Sequence, residues 1–220
     1  MTSEQTFVRA RRPEHKQRRR EAILAAALEL ASRDGVQGVT LAAVAAAVGL
    51  AKSNVLRYFG TKEEIYLALA AQQWQAWGSD VAAQLATASG GTATLAEVLT
   101  SSLTERPVFC DLQSVLATTL ERHAGLEAAR EYKRAAVGAL TATGARIAAG
   151  WAISEQEGFE LAAAATTFAG MLWPVTHPPE VLRTLYAQEP ELAIACPPFA
   201  PTLRRLIRAL AEGLPVLRSS

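Results

Sequence analysis

The segment from Thr40 to Glu64 constrains the fold of this chain more than any other. Thr40 is a suitable N-cap for a short helix. The apolar residues that follow recur at spacings of three and four residues, at Leu41, Val44 and Val48. Gly49 can take the left-handed backbone that a tight turn between two helices needs, and Leu50 can pack under that turn. This pattern predicts the first helix and the turn of a helix-turn-helix.

The second helix of the motif is expected to begin near Ala51, with Val55 and Phe59 facing the core. Its outer surface then carries donors, acceptors and one aromatic ring: Lys52, Ser53, Asn54, Arg57 and Tyr58. These groups are of the kind that reach phosphates and base edges in a DNA major groove. Ala-rich helix pairs with a glycine turn also occur in other bundles, where such residues only form a solvated surface. DNA is therefore the first partner to consider.

A third helix should follow directly, because Thr61 to Glu64 has the spacing of a capping box. Thr61 is expected at the N-cap and Glu64 at the third helical position. A helix N-terminus that carries Lys62 is a suitable anchor for a phosphate group.

The charge is unevenly distributed, although the net charge is only +1. Up to Lys62 the chain has 11 Lys or Arg against 5 Asp or Glu, and the remaining residues have 11 against 16. The basic residues cluster at Arg9 to Pro13 and at His15 to Arg20, which includes Arg18. Such an arm suits contact with the DNA backbone, and a solvated tail is the alternative.

Three stretches together resemble the N-terminal DNA-binding region of the TetR/AcrR family of transcriptional regulators. They are Ile23 to Leu30 with Gly35 and Gly38, then Thr40 to Gly49, then Ser53 to Glu63, and the similarity spans about residues 17–70. The resemblance implies that Lys52 to Tyr58 is the recognition helix and that Lys62 touches phosphate. The DNA-binding residues expected on these grounds are Arg18, Thr40, Lys52, Ser53, Asn54, Arg57, Tyr58 and Lys62.

The chain departs from the family pattern at two adjacent positions. Leu56 stands where the family usually has an aromatic residue, most often Tyr, so a phosphate contact from a Tyr hydroxyl is absent there. Arg57 stands where a second aromatic residue is common. The Arg57 side chain can read a guanine or bind a phosphate, and the sequence does not choose between them.

An all-α fold is expected, with the three-helix DNA-binding head at residues 1–62 and a larger helical bundle for ligand binding and dimerisation at 63–220. Helices are predicted at 63–87, 94–104, 108–122, 125–150, 155–173, 179–188 and 200–213. Capping boxes are expected at Thr94 to Glu97 and Ser154 to Glu157, and Pro107 suits a first helical turn.

The family usually dimerises through a four-helix bundle from its last long helices, which implies 155–173 and 200–213 here. Leu161 to Trp173 is uncharged and rich in small residues, at Ala162 to Ala165, Ala169 and Gly170. These residues allow close helix approach, so the helix suits a dimer interface or an intrachain core equally. The uncharged stretch continues to Pro179, but its apolar part stops at Trp173 and is too short for the ~20 residues of a membrane span.

An effector pocket is also implied by the resemblance. Trp74 and Trp77 lie three residues apart, so both rings can point into the body. An apolar cavity lined by these two and by Phe109, Leu112, Leu116, Trp151, Phe168, Met171 and Trp173 is one interpretation, and an ordinary core is the other. Candidate polar groups beside it are Gln113, His123, Tyr132 and His177.

Other function classes find little support in the residues. Cys110 and Cys196 match no zinc or redox spacing, and the three histidines form no ligand pair, so we expect no metal and no cofactor. No nucleophile with a neighbouring base and no phosphate loop occurs, which disfavours an enzyme. The N-terminus has no apolar signal core, so a cytoplasmic protein is expected. The prediction is a homodimeric repressor that binds a palindromic operator and is released by a small apolar or aromatic ligand. The alternative is a helical ligand-binding protein without sequence-specific DNA binding.

Overall fold

The fold is helical throughout the part of the chain that the computed structural model describes, which is the backbone of residues 3–218 and the side chains of residues 14–218. The α-helices are α1 (Ser3–Gly38), α2 (Leu41–Ala47), α3 (Lys52–Val55), α4 (Lys62–Thr87), α5 (Thr92–Thr104), α6 (Pro107–Val115), α7 (Leu126–Gly150), α8 (Glu155–Thr176), α9 (Glu180–Gln188) and α10 (Phe199–Leu217). A π-helical turn at Leu116–Leu120 and a 3-10 turn at Glu121–His123 follow α6, and a second 3-10 turn at Pro190–Ala195 follows α9.

The first three helices form the predicted helix-turn-helix head. Thr40 caps α2, because its hydroxyl accepts a hydrogen bond from the Ala43 N–H at 3.2 Å. Gly49 has a φ of 64°, as the turn requires. Val55 and Phe59 are buried, which fixes the orientation of α3 and of the turn that follows it. The basic run at residues 9–13 lies outside the described side chains.

Helix α4 connects the head to the body and packs along α7. The two helices approach closely at Gly78, where an added Cβ would lie 3.0 Å from the Ala139 Cβ. Helix α8 packs against α6, α7 and α10. Where Gly158 of α8 crosses Gly144 of α7, the two backbones leave no room for a side chain. An added Cβ at Gly158 would lie 2.5 Å from the Gly144 carbonyl oxygen.

The small residues of α8 face the interior of the protomer. Ala162, Ala165, Ala169 and Gly170 are all buried, and an added Cβ at Gly170 would lie 2.7 Å from the Gln113 Cβ. The structure thus assigns these four residues to intrachain packing rather than to a dimer interface. The exposed residues of α8 are on a different face, which includes Met171 and Val175.

The three predicted capping boxes have different outcomes. The box at Ser154 to Glu157 is confirmed, with both reciprocal hydrogen bonds present. Thr61 caps α4 as predicted, but the Glu64 carboxylate binds the Gly60 and Gly125 N–H groups instead of that of Thr61. The box at Thr94 is wrong, because α5 begins two residues earlier at Thr92, with Gly91 as its N-cap.

Most predicted helix boundaries fall within two residues of the observed ones, with three exceptions. The helix predicted at 108–122 ends at Val115, where the backbone widens into the π-helical turn. The helix predicted to stop at Trp173 runs through Pro174 to Thr176, whose hydroxyl donates to the Leu172 carbonyl at 3.0 Å. The final helix continues past 213 to Leu217.

Candidate DNA-binding surface and interior aromatic cluster

The polar residues predicted to contact DNA lie together on the outer side of the head. Lys52, Ser53, Asn54 and Arg57 are exposed and Tyr58 is half-buried. They project outward because Val55 and Phe59, on the opposite side of the same helical segment, are buried in the head core. The segment is short: α3 ends at Val55, and hydrogen-bonded turns continue to Phe59. This surface therefore presents its polar groups to solvent.

A cleft of about 550 Å³ separates this segment from α1. Its walls carry three cationic side chains, together with an amide, a phenol and one apolar residue: Lys16, Arg19, Arg57, Asn54, Tyr58 and Leu50. Eight ion pairs form among the described side chains, and none of them includes Lys16, Arg19 or Arg57. A cleft with several cations and no paired carboxylate suits an anion such as a phosphate group.

Lys16 and Arg19 belong to the basic cluster predicted to lie along the DNA backbone, but they are not among the individually predicted contact residues, although a signal for them exists. They precede the buried Ile23 by seven and four residues, so they share the stripe of α1 that faces the rest of the head. Arg18 is exposed and does not line the cleft. Arg20 is structural, because its guanidinium lies 4.1 Å from the centre of the Phe59 ring and donates to the Tyr58 carbonyl at 2.9 Å.

Lys62 and Thr40 have partners inside the protein. The Lys62 ammonium donates a hydrogen bond to the Val39 carbonyl at 3.0 Å, and its side chain is half-buried. The Thr40 hydroxyl is the acceptor that caps α2. Each side chain thus already stabilises a loop or a helix end of the head. A phosphate contact would either replace this hydrogen bond or form in addition to it.

Two carboxylates hold the head against the body. The Glu64 carboxylate accepts hydrogen bonds from the Gly60 N–H at 2.8 Å and from the Gly125 N–H, at the start of α7, at 3.0 Å. The Asp111 carboxylate of α6 accepts one from the Val36 N–H of α1 at 2.7 Å. Charge-assisted hydrogen bonds of this kind are among the stronger ones in proteins. These hydrogen bonds connect α6 to α1, and they connect the starts of α4 and α7 to the turn before α4.

An aromatic cluster fills the centre of the body between α4 and α6. The Trp74 ring meets those of Trp77 and Phe109 edge to face, with centroids 5.6 and 5.1 Å apart. The Trp77 indole N–H donates to the Ser102 hydroxyl at 3.1 Å. Leu112 of α6 and Leu116 of the turn that follows α6 are also buried. Five of the predicted pocket residues are thus interior, and Gln113 and Phe168 are half-buried.

Several polar atoms in this region are buried without a hydrogen-bond partner among the described residues. They include the Tyr66 hydroxyl, the Trp74 indole N–H and the Gln113 amide nitrogen. Burial raises the pKa of Tyr66 well above its usual range, and it raises the pKa of Tyr132, which lies beside Trp74, to about 12. Buried donors that lack a partner cost free energy, which a suitable ligand atom would recover.

Four predicted pocket residues lie away from the cluster. Met171 is 66% exposed on the outer face of α8, so the expectation that it lines an interior cavity is wrong. His123 is exposed after the π-helical turn, and the Trp151 indole N–H donates to the Gly91 carbonyl at the junction of α4 and α5. Trp173 stacks on His177 at 3.7 Å, near the start of α10. These four residues were predicted to share a cavity because of their residue types alone, and the structure places them in different parts of the body.

Within the described residues no helix is long and apolar enough to cross a bilayer. The same part of the chain contains no group of three or more His, Cys, Asp or Glu side chains placed to hold a metal ion.

Two parts of the chain match families of known proteins. Residues 71–217 match the family described as tetracyclin repressor-like, C-terminal domain, and residues 23–69 match the bacterial regulatory proteins of the tetR family. The first match alone covers more than half of the chain. The protein therefore belongs to the TetR family of ligand-responsive transcriptional regulators, whose members are regulators rather than enzymes.

The curated relatives resemble only one part of the chain. The HTH-type transcriptional regulator RutR of Escherichia coli strain K12 is 39% identical over 59 residues, which is 27% of this chain. RutR of Shigella flexneri has the same identity over the same length. The chain spans about 28% of the length of these relatives, so the similarity does not extend to the whole protein.

Solved structures share the fold across most of the chain. The multidrug binding protein EbrR, complexed with imidazole, is 18% identical with a TM-score of 0.54, covering 87% of this chain and 94% of EbrR. FadR of Bacillus subtilis, in complex with stearoyl-CoA, is 14% identical with a TM-score of 0.52 and coverages of 87% and 95%. FadR of Thermus thermophilus, with lauroyl-CoA, is 20% identical with a TM-score of 0.52 and coverages of 76% and 90%.

Proposed function

We propose that this regulator is a cytoplasmic repressor that binds a palindromic operator as a homodimer and is released by a small apolar or aromatic ligand. The observation that carries the proposal is the cleft of Lys16, Arg19 and Arg57, which adjoins the exposed polar residues of α3. Unpaired cations next to an array of base-reading groups are what a DNA interface needs. The proposed division is a DNA-binding head at residues 1–62 and a ligand-binding and dimerisation body at 63–220.

In this proposal the cleft takes a phosphate of the DNA backbone, while Lys52, Ser53 and Asn54 reach base edges. Arg18, Thr40, Tyr58 and Lys62 complete the proposed contact surface. The position of Arg57 in the cleft favours a phosphate contact over a guanine contact. Replacement of Arg57 by Ala should then weaken binding to all sequences and reduce the slope of log affinity against log salt by about 0.9 per subunit. A loss confined to one base position would reassign Arg57 to base reading.

The proposed dimer face is formed by α8 and α10. Met171 and Val175 lie one helical turn apart on α8 and are 66% and 43% exposed. A second copy is the natural cover for this row, since a two-fold axis lets the same surface meet itself. Met171→Glu should shift the protein from dimer to monomer in light scattering. Val137→Glu, at an exposed apolar residue on α7, is the matched control and should leave the mass unchanged.

The proposed effector site is the aromatic cluster of Trp74, Trp77 and Phe109 with Leu112 and Leu116. The Gln113 amide donor, which has no partner among the described residues, favours a ligand that is mostly apolar or aromatic and carries a hydrogen-bond acceptor. The acyl-CoA and imidazole complexes of the structural relatives support only the point that this fold can hold a ligand. Trp151, Met171, Trp173 and His123 lie outside this site, and Phe168 is half-buried against the core from α8.

Release would follow from the rigid connection between this cluster and the head. Lys62 and the two tryptophans lie 12 to 15 residues apart on α4, a rise of about 18 to 22 Å. A ligand that displaces α4 or α6 would also shift the contacts of Glu64 and Asp111 with the head. Because a dimer reads half-sites about 34 to 36 Å apart, a small change in head separation weakens both contacts. A coupling of ~1 to 3 kcal/mol gives 5- to 150-fold derepression.

The decisive experiment is selection of sequences from random double-stranded DNA by the purified protein at moderate salt. We expect a palindrome whose half-sites lie about one helical turn apart. An Arg19→Ala variant should lose affinity for the selected sequence, whereas Arg33→Ala, which removes an exposed arginine paired with Asp34, should not. Recovery of no motif, with binding lost uniformly as salt rises, would contradict operator recognition.

A further inference from the structure

Leu56 is an exposed apolar side chain in the middle of the proposed DNA-reading surface. It follows the buried Val55 directly, so helical geometry rotates it by about 100° away from the head core. The Leu56 N–H donates to the Lys52 carbonyl at 3.0 Å, which keeps the backbone helical at this residue. The side chain is 40% exposed, and its neighbours Ser53 and Arg57 are also exposed.

The head core does not need this residue. Val55 and Phe59 already fill the core side of the segment, with exposures of 0% and 3%. Leu56 also has no donor or acceptor on its side chain, so it can bind neither phosphate nor the polar edge of a base. Its aliphatic surface lowers the free energy of a complex only when another apolar group buries it.

The major groove presents one such group. Thymine carries a C5-methyl group there, whereas the other bases present donors and acceptors, and aliphatic side chains make contact with that methyl. We propose that Leu56 contacts the C5-methyl group of one thymine in each half-site and thereby selects thymine at that position. This inference rests on the proposed operator binding. It makes Leu56 a specificity-determining residue, whereas the cleft of Lys16, Arg19 and Arg57 supplies affinity without sequence preference.

The test uses the selected operator with each thymine replaced in turn by deoxyuridine, which removes only the C5-methyl group. For the unaltered protein, deoxyuridine at the contacted thymine of a single half-site should weaken binding about fourfold. This is the loss in affinity that corresponds to about one buried methyl-sized group. Replacement in both half-sites should weaken binding about 16-fold, since distant contacts add. Other thymines should tolerate the replacement.

Leu56→Ala should bind the thymine and deoxyuridine operators equally at that position. The matched control is Leu192→Ala, because Leu192 is also 40% exposed but lies in the 3-10 turn after α9, far along the chain from the head. This control should keep the full sensitivity to deoxyuridine. Equal melting temperatures of the three proteins show that the fold is unchanged.

Two results would overturn the assignment of Leu56. One is a sensitivity to deoxyuridine that persists in Leu56→Ala, and the other is an unaltered protein that tolerates deoxyuridine at every thymine of its operator. Both leave operator binding intact and thus differ from failure of the proposed function. That failure appears earlier, as the absence of any selected sequence, and it removes the basis for the Leu56 contact as well.

Discussion

The head and the body of this protein use their side chains in opposite ways. The outer side of α3 and the facing cleft hold polar and cationic groups that have no partner among the described ion pairs. The centre of the body holds aromatic rings that are in contact with one another and almost fully buried. The described polar and cationic groups of the head are thus available to a partner outside the molecule, whereas the aromatic rings of the body are occupied by contacts with one another.

The comparison between head and body predicts that the largest loss of stability will come from a substitution in the body. Trp77→Ala should lower the free energy of unfolding by about 3 to 5 kcal/mol, because the ring is fully buried against Trp74 and Phe109. Urea denaturation measures this loss. Gln72→Ala, at an exposed position of the same helix, is the control and should stay within about 0.5 kcal/mol. A loss under 1 kcal/mol for Trp77→Ala would mean that the cluster is not the body's core.

The second effect concerns the contact between the two regions. Glu64→Ala should cost about 1.5 kcal/mol, the low end for hydrogen bonds to a charged group, because the carboxylate is only half-buried. Hydrogen exchange should become faster at the Gly60 and Gly125 amides, which bind this carboxylate. Glu63→Ala removes the neighbouring carboxylate and should leave both amides protected. Unchanged exchange in Glu64→Ala would show that the head is held by other contacts.

A third prediction separates a true helix cap from an apparent one. Ser154→Ala should cost about 1 kcal/mol, since its hydroxyl accepts from the Glu157 N–H in a complete capping box. Thr94→Ala should cost less than about 0.5 kcal/mol, because Thr94 lies inside α5 and caps nothing. Thermal unfolding of the two variants side by side gives the comparison, and equal losses would contradict it.

A smaller effect should depend on pH. The Ser154 N–H donates to the Glu157 carboxylate, which also pairs with Arg218, and these contacts lower the pKa of Glu157 from its usual value. A carboxyl with a lowered folded-state pKa adds stability above its unfolded pKa, and this stability is lost as pH falls through the folded value. Glu157→Gln should therefore destabilise the protein at pH 6, and the difference should shrink as the pH falls through the folded-state pKa of Glu157. A difference that is constant with pH would rule out the ionised carboxylate as its source.

The last prediction concerns the rates at which the two cysteines react. Burial raises the pKa of the Cys110 thiol to about 12, and this thiol donates to the Leu103 carbonyl. Cys196 is half-buried near the start of α10. A thiol-specific reagent at pH 8 should hence modify Cys196 first, and Cys110 only after denaturation. Mass spectrometry of the labelled protein identifies the site, and early labelling of Cys110 would indicate that the body opens readily.

The features that could be predicted from the sequence are those set by neighbouring residues. Thr40, Gly49 and the pair Val55 and Phe59 specify the helix-turn-helix within twenty residues, and the structure agrees with each. The Glu64 carboxylate could not be assigned, because its second partner, Gly125, is 61 residues away and contributes only a backbone N–H. Capping patterns predict a local partner, and here a distant one competes successfully.

The interior of the body was harder to predict for a related reason. Trp74 and Trp77 could be placed together because they share one helix, but Met171 and Trp173 could not be oriented without the neighbours of α8. The π-helical turn at Leu116–Leu120 also changes the directions in which the side chains after α6 point. No residue pattern in the sequence predicts this π-helical form. Apolar composition predicts burial on average and does not say against which helix a residue packs.

The backbone contact between Gly144 and Gly158 has a consequence for how this protein can vary. An added Cβ at either position would lie within 3.0 Å of main-chain atoms of the facing helix, so even alanine must push α7 and α8 apart. Helix α8 also carries Met171 and Val175 on its outer side. Substitutions at these two glycines should thus alter the proposed dimer face, although neither glycine is exposed. The close backbone contact on the inner side of α8 therefore limits which substitutions this helix can accept.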